Sequence, residues 1–189
     1  MSRRWRLTFV VGLAALGLIA LGHWQATRQG EGPTSDTVTA AAPAEARPFE
    51  GYQAPELEVV DFSGKRVALS DLRGLPVYLN FWATWCQYCR QEMPDIARAY
   101  REVGGRTKGK VVFLLVDVGE APEVVRKFAT RSIPGLPVVL DMSGRTAQRY
   151  LIQGYPTSFF IDADGVIKDK VVGALDGPGL RTRLQDLLK

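Results

Sequence analysis

The chain has 189 residues, is 46% hydrophobic and 23% charged, and carries a formal net charge of +4. That length and apolar fraction suffice to bury one sizeable core. The positive excess is not a nucleic-acid footprint, because Arg3, Arg4 and Arg6 supply much of it and acidic and basic residues nearly balance from Phe49 onward.

The N-terminal arginines precede an uncharged run from Leu7 to Gly22, bracketed by Trp5 and Trp24. At about 1.5 Å per residue, the stretch between the tryptophans approaches the roughly 30 Å hydrocarbon core of a bilayer, and tryptophan suits both interfaces. The prediction is a membrane signal-anchor over residues 1–24, with its basic flank in the cytoplasm and the remainder exported. A cleaved signal peptide is the alternative. Ala40 to Ala44 offers small residues for cleavage but lies far from the apolar run, and His23-Trp24-Gln25 is a poor site. No cysteine stands at the end of the run to carry a lipid. Residues 25–48, rich in Ala, Thr, Gly, Pro and Ser without an apolar period, predict a disordered tether, and residues 49–189 a single domain.

Within that domain, Leu57–Asp61 and Arg66–Leu69 predict two short strands joined by a turn at Ser63-Gly64-Lys65. A strand follows up to Trp82. Arg90–Val103 predicts a helix through Met93, Ile96, Ala97 and Tyr100, kinked at Pro94 and ended by Gly104-Gly105. Val111–Val118 is the continuous apolar run of a strand buried on both faces. Ala121–Thr130 predicts a helix, Leu136–Asp141 a strand, and Ser143–Tyr150 a short helix capped by Ser143. Thr157–Asp162 and Val166–Val172 flank the hairpin turn Ala163-Asp164-Gly165, and Leu180–Leu188 closes the chain as an amphipathic helix. This order implies an α/β domain, with a mixed β-sheet covered by helices on both faces and an N-terminal β-hairpin.

Two motifs mislead. Gly104-Gly105-Arg106-Thr107-Lys108-Gly109-Lys110 has phosphate-loop spacing, but Val111 stands where a hydroxyl should ligate magnesium and the loop joins helix to strand, the wrong order. Asp162-Ala163-Asp164-Gly165 resembles the start of a calcium loop without its third acidic position or its closing Glu.

The chemistry-bearing stretch is Trp85-Cys86-Gln87-Tyr88-Cys89, which holds both cysteines at the passage from strand to helix. Two residues between them put both sulfurs on the first helical turn, where a reversible disulfide fits. Unpaired N–H groups and the helix dipole there favour thiolate at Cys86. A zinc site would need further ligands, and His23 is the one histidine. A purely structural disulfide would close too short a loop to stabilise much.

With strand, cysteine pair and helix in place, the chain resembles the thioredoxin fold. Asn80-Phe81-Trp82-Ala83-Thr84-Trp85-Cys86, Glu92-Met93-Pro94, Val116 to Glu120, Pro137 to Asp141 and Tyr155-Pro156-Thr157-Ser158-Phe159-Phe160-Ile161-Asp162 narrow this further. They resemble the membrane-anchored ResA/TlpA-type thiol-disulfide oxidoreductases, as do Ala54-Pro55-Glu56-Leu57 and the Gly64-Lys65 hairpin. The resemblance implies a thioredoxin-like domain whose Cys86 attacks a substrate disulfide and whose Cys89 resolves the mixed disulfide, with no cofactor beyond that cysteine pair. It makes Pro156 a cis-proline beside the pair and lets the backbone at Tyr155 meet substrate; Trp85 and Gln87 are further candidate substrate contacts, as is Tyr88 by its bulk, with surface packing the alternative for Tyr88. Ordinary thioredoxins bury an Asp where this chain has Asn80. Glu92, one turn beyond Cys89, takes its place as proton acceptor, the alternative being a solvated Glu paired with Arg90. Tyr88 departs from the proline usual before the second cysteine, so the reduction potential does not transfer.

The resemblance further implies a monomer on the extracytoplasmic side of the cell membrane, taking electrons from a membrane thiol carrier. Its target would be a protein disulfide such as the haem-binding cysteines of apocytochrome c. A copper-delivery protein or an oxidase copper site is the second candidate target. A copper(I)-binding chaperone is a third reading, disfavoured by the lack of histidine in the exported part. A general oxidant is disfavoured by the lack of His between the cysteines.

Overall fold

Val77–Trp82 (β3) is buried at all six positions, which places it at the centre of the sheet. A strand flanked on both sides and covered on both faces must be apolar throughout, and its one polar member, Asn80, must find partners inside. The computed structural model describes residues 45–103 and 110–189. The predicted anchor, most of the predicted tether and nearly all of the Gly104–Lys110 loop lie outside the described residues.

The sheet has seven strands. Val59–Val60 (β1) and Arg66–Val67 (β2) form the antiparallel hairpin at one edge, followed by Val138–Asp141 (β5), Val112–Val118 (β4), β3, Thr157–Ile161 (β6) and Ile167–Val172 (β7). Strands β3, β4 and β5 are parallel, while β6 and β7 run antiparallel beyond β3. Successive right-handed crossovers in one direction put helix α1 (Gln87–Val103) and helix α2 (Pro122–Ser132) on the same face. Helix α4 (Gly177–Asp186) joins them. Cys89, Met93 and Ile96 of α1, Val125 and Ala129 of α2, and Leu180 and Leu184 of α4 bury Tyr78, Trp82, Leu115 and Phe160. The alternate strand residues Leu79, Phe81, Val116 and Phe159 face the other way, against Ala147 and Tyr150 at helix α3 (Arg145–Arg149) and against Leu57 and Leu69 of the N-terminal segment. Strand alternation thus divides the core into two layers.

The mixed sheet, its hairpin extension and the helices on both faces match the order read from the sequence. The differences are local. Helix α1 starts at Gln87, earlier than expected, and runs to Val103 with Pro94 inside it on the exposed face. Buried Cys89, Glu92, Met93, Ile96 and Ala99 hold both halves against the sheet, so tertiary burial offsets the one hydrogen bond lost. Gly144, at φ 70°, takes the cap position before α3 that was expected of Ser143. Helix α4 starts earlier than its apolar spacing suggests, because Asp176 accepts a hydrogen bond from the Gly179 N–H and caps it. The chain joins the domain at its N-terminal side from Ala46, which bridges Gln53. Among the described residues no helix is long and apolar enough to cross a membrane.

Candidate active site

Cys86 stands immediately before α1, at the C-terminal end of β3. Its sulfur occupies the capping position, where it accepts a hydrogen bond from the Cys89 N–H at 3.1 Å. An acceptor atom is expected there, since the first-turn N–H groups have no helical partner, and the same groups would stabilise a thiolate. Cys86 and Cys89 are joined as a disulfide. Cys86 is 5% exposed and Cys89 fully buried, so an incoming sulfur reaches Cys86 first.

The predicted substrate contacts fall around this pair. Trp85, Gln87 and Tyr88 are exposed. Trp85 meets Tyr155 edge to face at 5.8 Å between ring centroids, and the two line a shallow cavity of about 270 Å³ with Ile152, Gln153 and Gly154. The Tyr155–Pro156 bond is cis, and Pro156 is buried. The structure thus brings Trp85 and Tyr155 together, while Gln87 and Tyr88 project from the first turn of α1.

Glu92 is buried, not solvated, whereas Arg90 is exposed. Its Oε1 accepts from the Asn80 Nδ2 at 2.9 Å and its Oε2 from the Leu175 N–H at 3.0 Å. Burial pushes its carboxyl up to about 7, against those two donors, which favour the charged form. Asn80 also donates to the Ser158 Oγ at 3.0 Å, and Ser158 shares a hydrogen bond with the Tyr78 hydroxyl. Asn80 Oδ1 has no partner among the described residues. A primary amide offers a donor to a charged carboxylate and, turned over, an acceptor to a protonated one, so Asn80 can serve Glu92 in either state.

A buried cysteine pair at a helix start, with an interior carboxyl one turn further along, is an arrangement suited to thiol exchange. The profile of the AhpC/TSA family matches residues 51–170. The chain is 35% identical to a thiol-disulfide oxidoreductase ResA of Bacillus cereus, over 72% of this chain and 78% of that one. It is 37% identical to ResA of Bacillus subtilis (strain 168), over 67% and 69%. This chain belongs to the thioredoxin-like AhpC/TSA family and is a ResA-type thiol-disulfide oxidoreductase. Solved structures agree. A thioredoxin-family thiol:disulfide interchange protein from Chlorobium tepidum TLS superposes with a TM-score of 0.63 at 29% identity, covering 77% of this chain and all of that one. The exposed lipoprotein thioredoxin Etrx1 of Streptococcus pneumoniae strain TIGR4 gives 0.60 at 30% identity, covering 70% and 99%.

In this oxidoreductase the segment leading into Cys86 is held by a residue the sequence reading did not single out. Glu120 Oε2 accepts from the Thr84 N–H at 2.6 Å and its Oε1 from the Thr84 hydroxyl at 2.7 Å. Gly119, at φ 78°, makes the turn that brings Glu120 back from the end of β4. The available signal was a glycine followed by an acid at the C-terminal edge of a buried parallel strand, where sites on open α/β sheets form. Ser158 and Leu175 were equally invisible, since their partners lie across the fold.

Asn80→Asp tests the Glu92 environment. Two carboxylates would then face each other in the interior, and one must stay protonated. The variant is expected to lose about 2–4 kcal/mol of stability at pH 8 and far less at pH 5, read by urea unfolding at both values. Equal losses at both would show that Glu92 and residue 80 do not couple.

Proposed function

We propose that this oxidoreductase is a reductase tethered by residues 1–24 to the outer side of the cell membrane. Electrons arrive from a membrane thiol carrier and leave to a protein disulfide, the haem-binding cysteine pair of apocytochrome c being the leading target. Reduced Cys86 attacks one substrate sulfur as thiolate. The substrate S–S bond breaks, its other sulfur leaves as thiolate, and a mixed disulfide forms. Cys89 then passes its proton to the Glu92 carboxylate and attacks the Cys86 sulfur. The second substrate thiolate departs, the substrate gains two electrons, and the Cys86–Cys89 disulfide seen in the structure is restored.

The observation that carries this reading is the interior carboxyl of Glu92, pushed up to about 7 on the same helix as Cys89. A proton acceptor poised near neutrality suits the release of a buried thiol's proton. Gln87 and Tyr88 supply no positive charge to hold a strongly acidic thiolate, which speaks for a reductase over a strong oxidant. The reduction potential tests it. A value nearer about −270 mV than about −120 mV is expected, and one near the upper figure overturns the direction. Cys89→Ala expressed in the parent organism should capture the target as a mixed disulfide. Recovery of a copper-site protein in place of apocytochrome c would reassign the target.

A further inference from the structure

Asp117, on β4, is buried; the Glu120 N–H is the one donor turned toward its carboxyl, and it falls short of good hydrogen-bond geometry. The charged group acting on it is the Glu120 carboxyl, three residues further on. Both Glu120 oxygens already accept hydrogen bonds from Thr84. Two acceptor-only groups facing each other, Asp117 buried and Glu120 partly so, repel, and the buried one is left with uncompensated lone pairs. A single proton between them removes the repulsion and turns one acceptor into a donor, as in other close carboxyl pairs.

The Glu120 N–H favours the charged form of Asp117 but is outweighed by burial and by the Glu120 carboxyl. In the sheet Asp117 pairs with Trp82 and Leu140, neither of which ionises. The indole N–H of Trp82 makes no hydrogen bond among the described residues either. Asp141 of β5 turns its carboxyl to the Ala147 N–H instead. Val125 of α2 and the Cys86–Cys89 pair at the start of α1 belong to the buried cluster on this face. The Tyr155 phenol, in the loop before β6, is pushed up by its own burial and then by Asp117, Asp141 and Glu120. Burial, then Glu120, pushes the Asp117 carboxyl up to about 8.

We propose that Asp117 is a positioning residue that, in its protonated form, donates a hydrogen bond to Glu120 and so fixes the Thr84–Trp85 segment presenting Cys86. Thr84 lies two residues before the nucleophile, and Trp85, its next neighbour, packs on Tyr155. Loss of the shared proton places two negative charges behind Thr84. The clamp loosens, and with it the Trp85–Tyr155 wall of the site.

The test follows the Thr84 amide by NMR against pH in the full chain in detergent, in a Glu92→Gln background so that the titration near 7 does not overlap. The amide resonance is expected to move with a midpoint near 8, and Asp117→Asn should abolish that step, because the Asn amide donates to Glu120 at every pH. Cys86 exchange with a small neutral disulfide, corrected for thiolate fraction, should fall about threefold from pH 6.5 to 9.5 in the parent, an effect of the size of one weakened hydrogen bond, and stay level in Asp117→Asn. Carbon-13 labelling of Asp117 needs no substitution and should show a neutral carboxyl at pH 6. A carboxylate at pH 6 would mean that the Glu120 N–H prevails over the Glu120 carboxyl at Asp117, and would overturn the proposal. So would a Thr84 titration unchanged by Asp117→Asn.

Discussion

Replacing Cys86 with Ser is expected to abolish exchange with external disulfides, a loss of at least about 10³-fold, while Cys89→Ser retains the first step and accumulates mixed disulfide. The asymmetry follows from position. Cys86 caps α1, where free N–H groups favour its thiolate, and it alone of the pair touches solvent. A hydroxyl there cannot ionise usefully near neutral pH, so the nucleophile is lost outright. Cys89 is fully enclosed, so a substrate sulfur cannot reach it, and its partner in exchange is the adjacent Cys86 sulfur. Non-reducing gels with a disulfide-bonded test protein separate the two variants. An adduct on Cys86→Ser in amounts equal to that on Cys89→Ser would reverse the assigned roles.

The sequence was most informative where one local pattern had one physical solution. A largely apolar run ending in Trp82, followed by Cys-x-x-Cys and a stripe at Met93 and Ile96, could only be a strand feeding a helix whose first turn carries the thiols. The layers and the strand types followed from the alternation of helical and strand patterns. Pro94 was legible as an interruption of the helical spacing, but the burial that holds both halves of α1 against the sheet was not. Glu120, Asp117, Ser158 and Leu175 were out of reach for a different reason. Each acts through a partner on another element, Thr84 for Glu120 and Asn80 for Ser158, and spacing along the chain says nothing of such pairs. Asp117 in particular reads as a polar interruption of the run from Val111 to Val118 until the structure shows that run buried and the carboxyl beside that of Glu120. Glu92 lies between these cases. Its helical spacing from Cys89 was legible, but its donors, Asn80 across the sheet and Leu175 ahead of α4, were not.

Glu92→Gln is expected to change both stability and turnover, with opposite signs above neutral pH. In the folded protein the Glu92 carboxyl sits at about 7, against an ordinary unfolded value of 4.5. Below about pH 4.5 both states hold the proton and the group is neutral to stability. Between that point and about pH 7 the unfolded chain ionises first, so the unfolded state binds fewer protons and stability falls as pH rises, to a plateau above 7. At 1.36 kcal/mol per unit, the loss amounts to about 3 kcal/mol. Gln cannot ionise, so the variant lacks this slope. It does forfeit one acceptor, since its amide nitrogen can accept from neither the Asn80 Nδ2 nor the Leu175 N–H, a pH-independent cost of about 1–2 kcal/mol. The variant should therefore be the less stable protein at pH 4.5 and the more stable one at pH 8, a crossover measurable by urea unfolding of the oxidised form. Turnover moves the other way. Without a carboxylate to accept the Cys89 proton, resolution of the mixed disulfide at pH 7 should slow by about 10²-fold, within the usual range for loss of a general base, while the first attack by Cys86 is little changed. Single-turnover kinetics with a disulfide peptide separate the two steps. If the stability difference between variant and parent is the same at pH 4.5 and pH 8, Glu92 is not the interior acid described here. If the crossover appears but resolution keeps its rate, the proton of Cys89 leaves by another route.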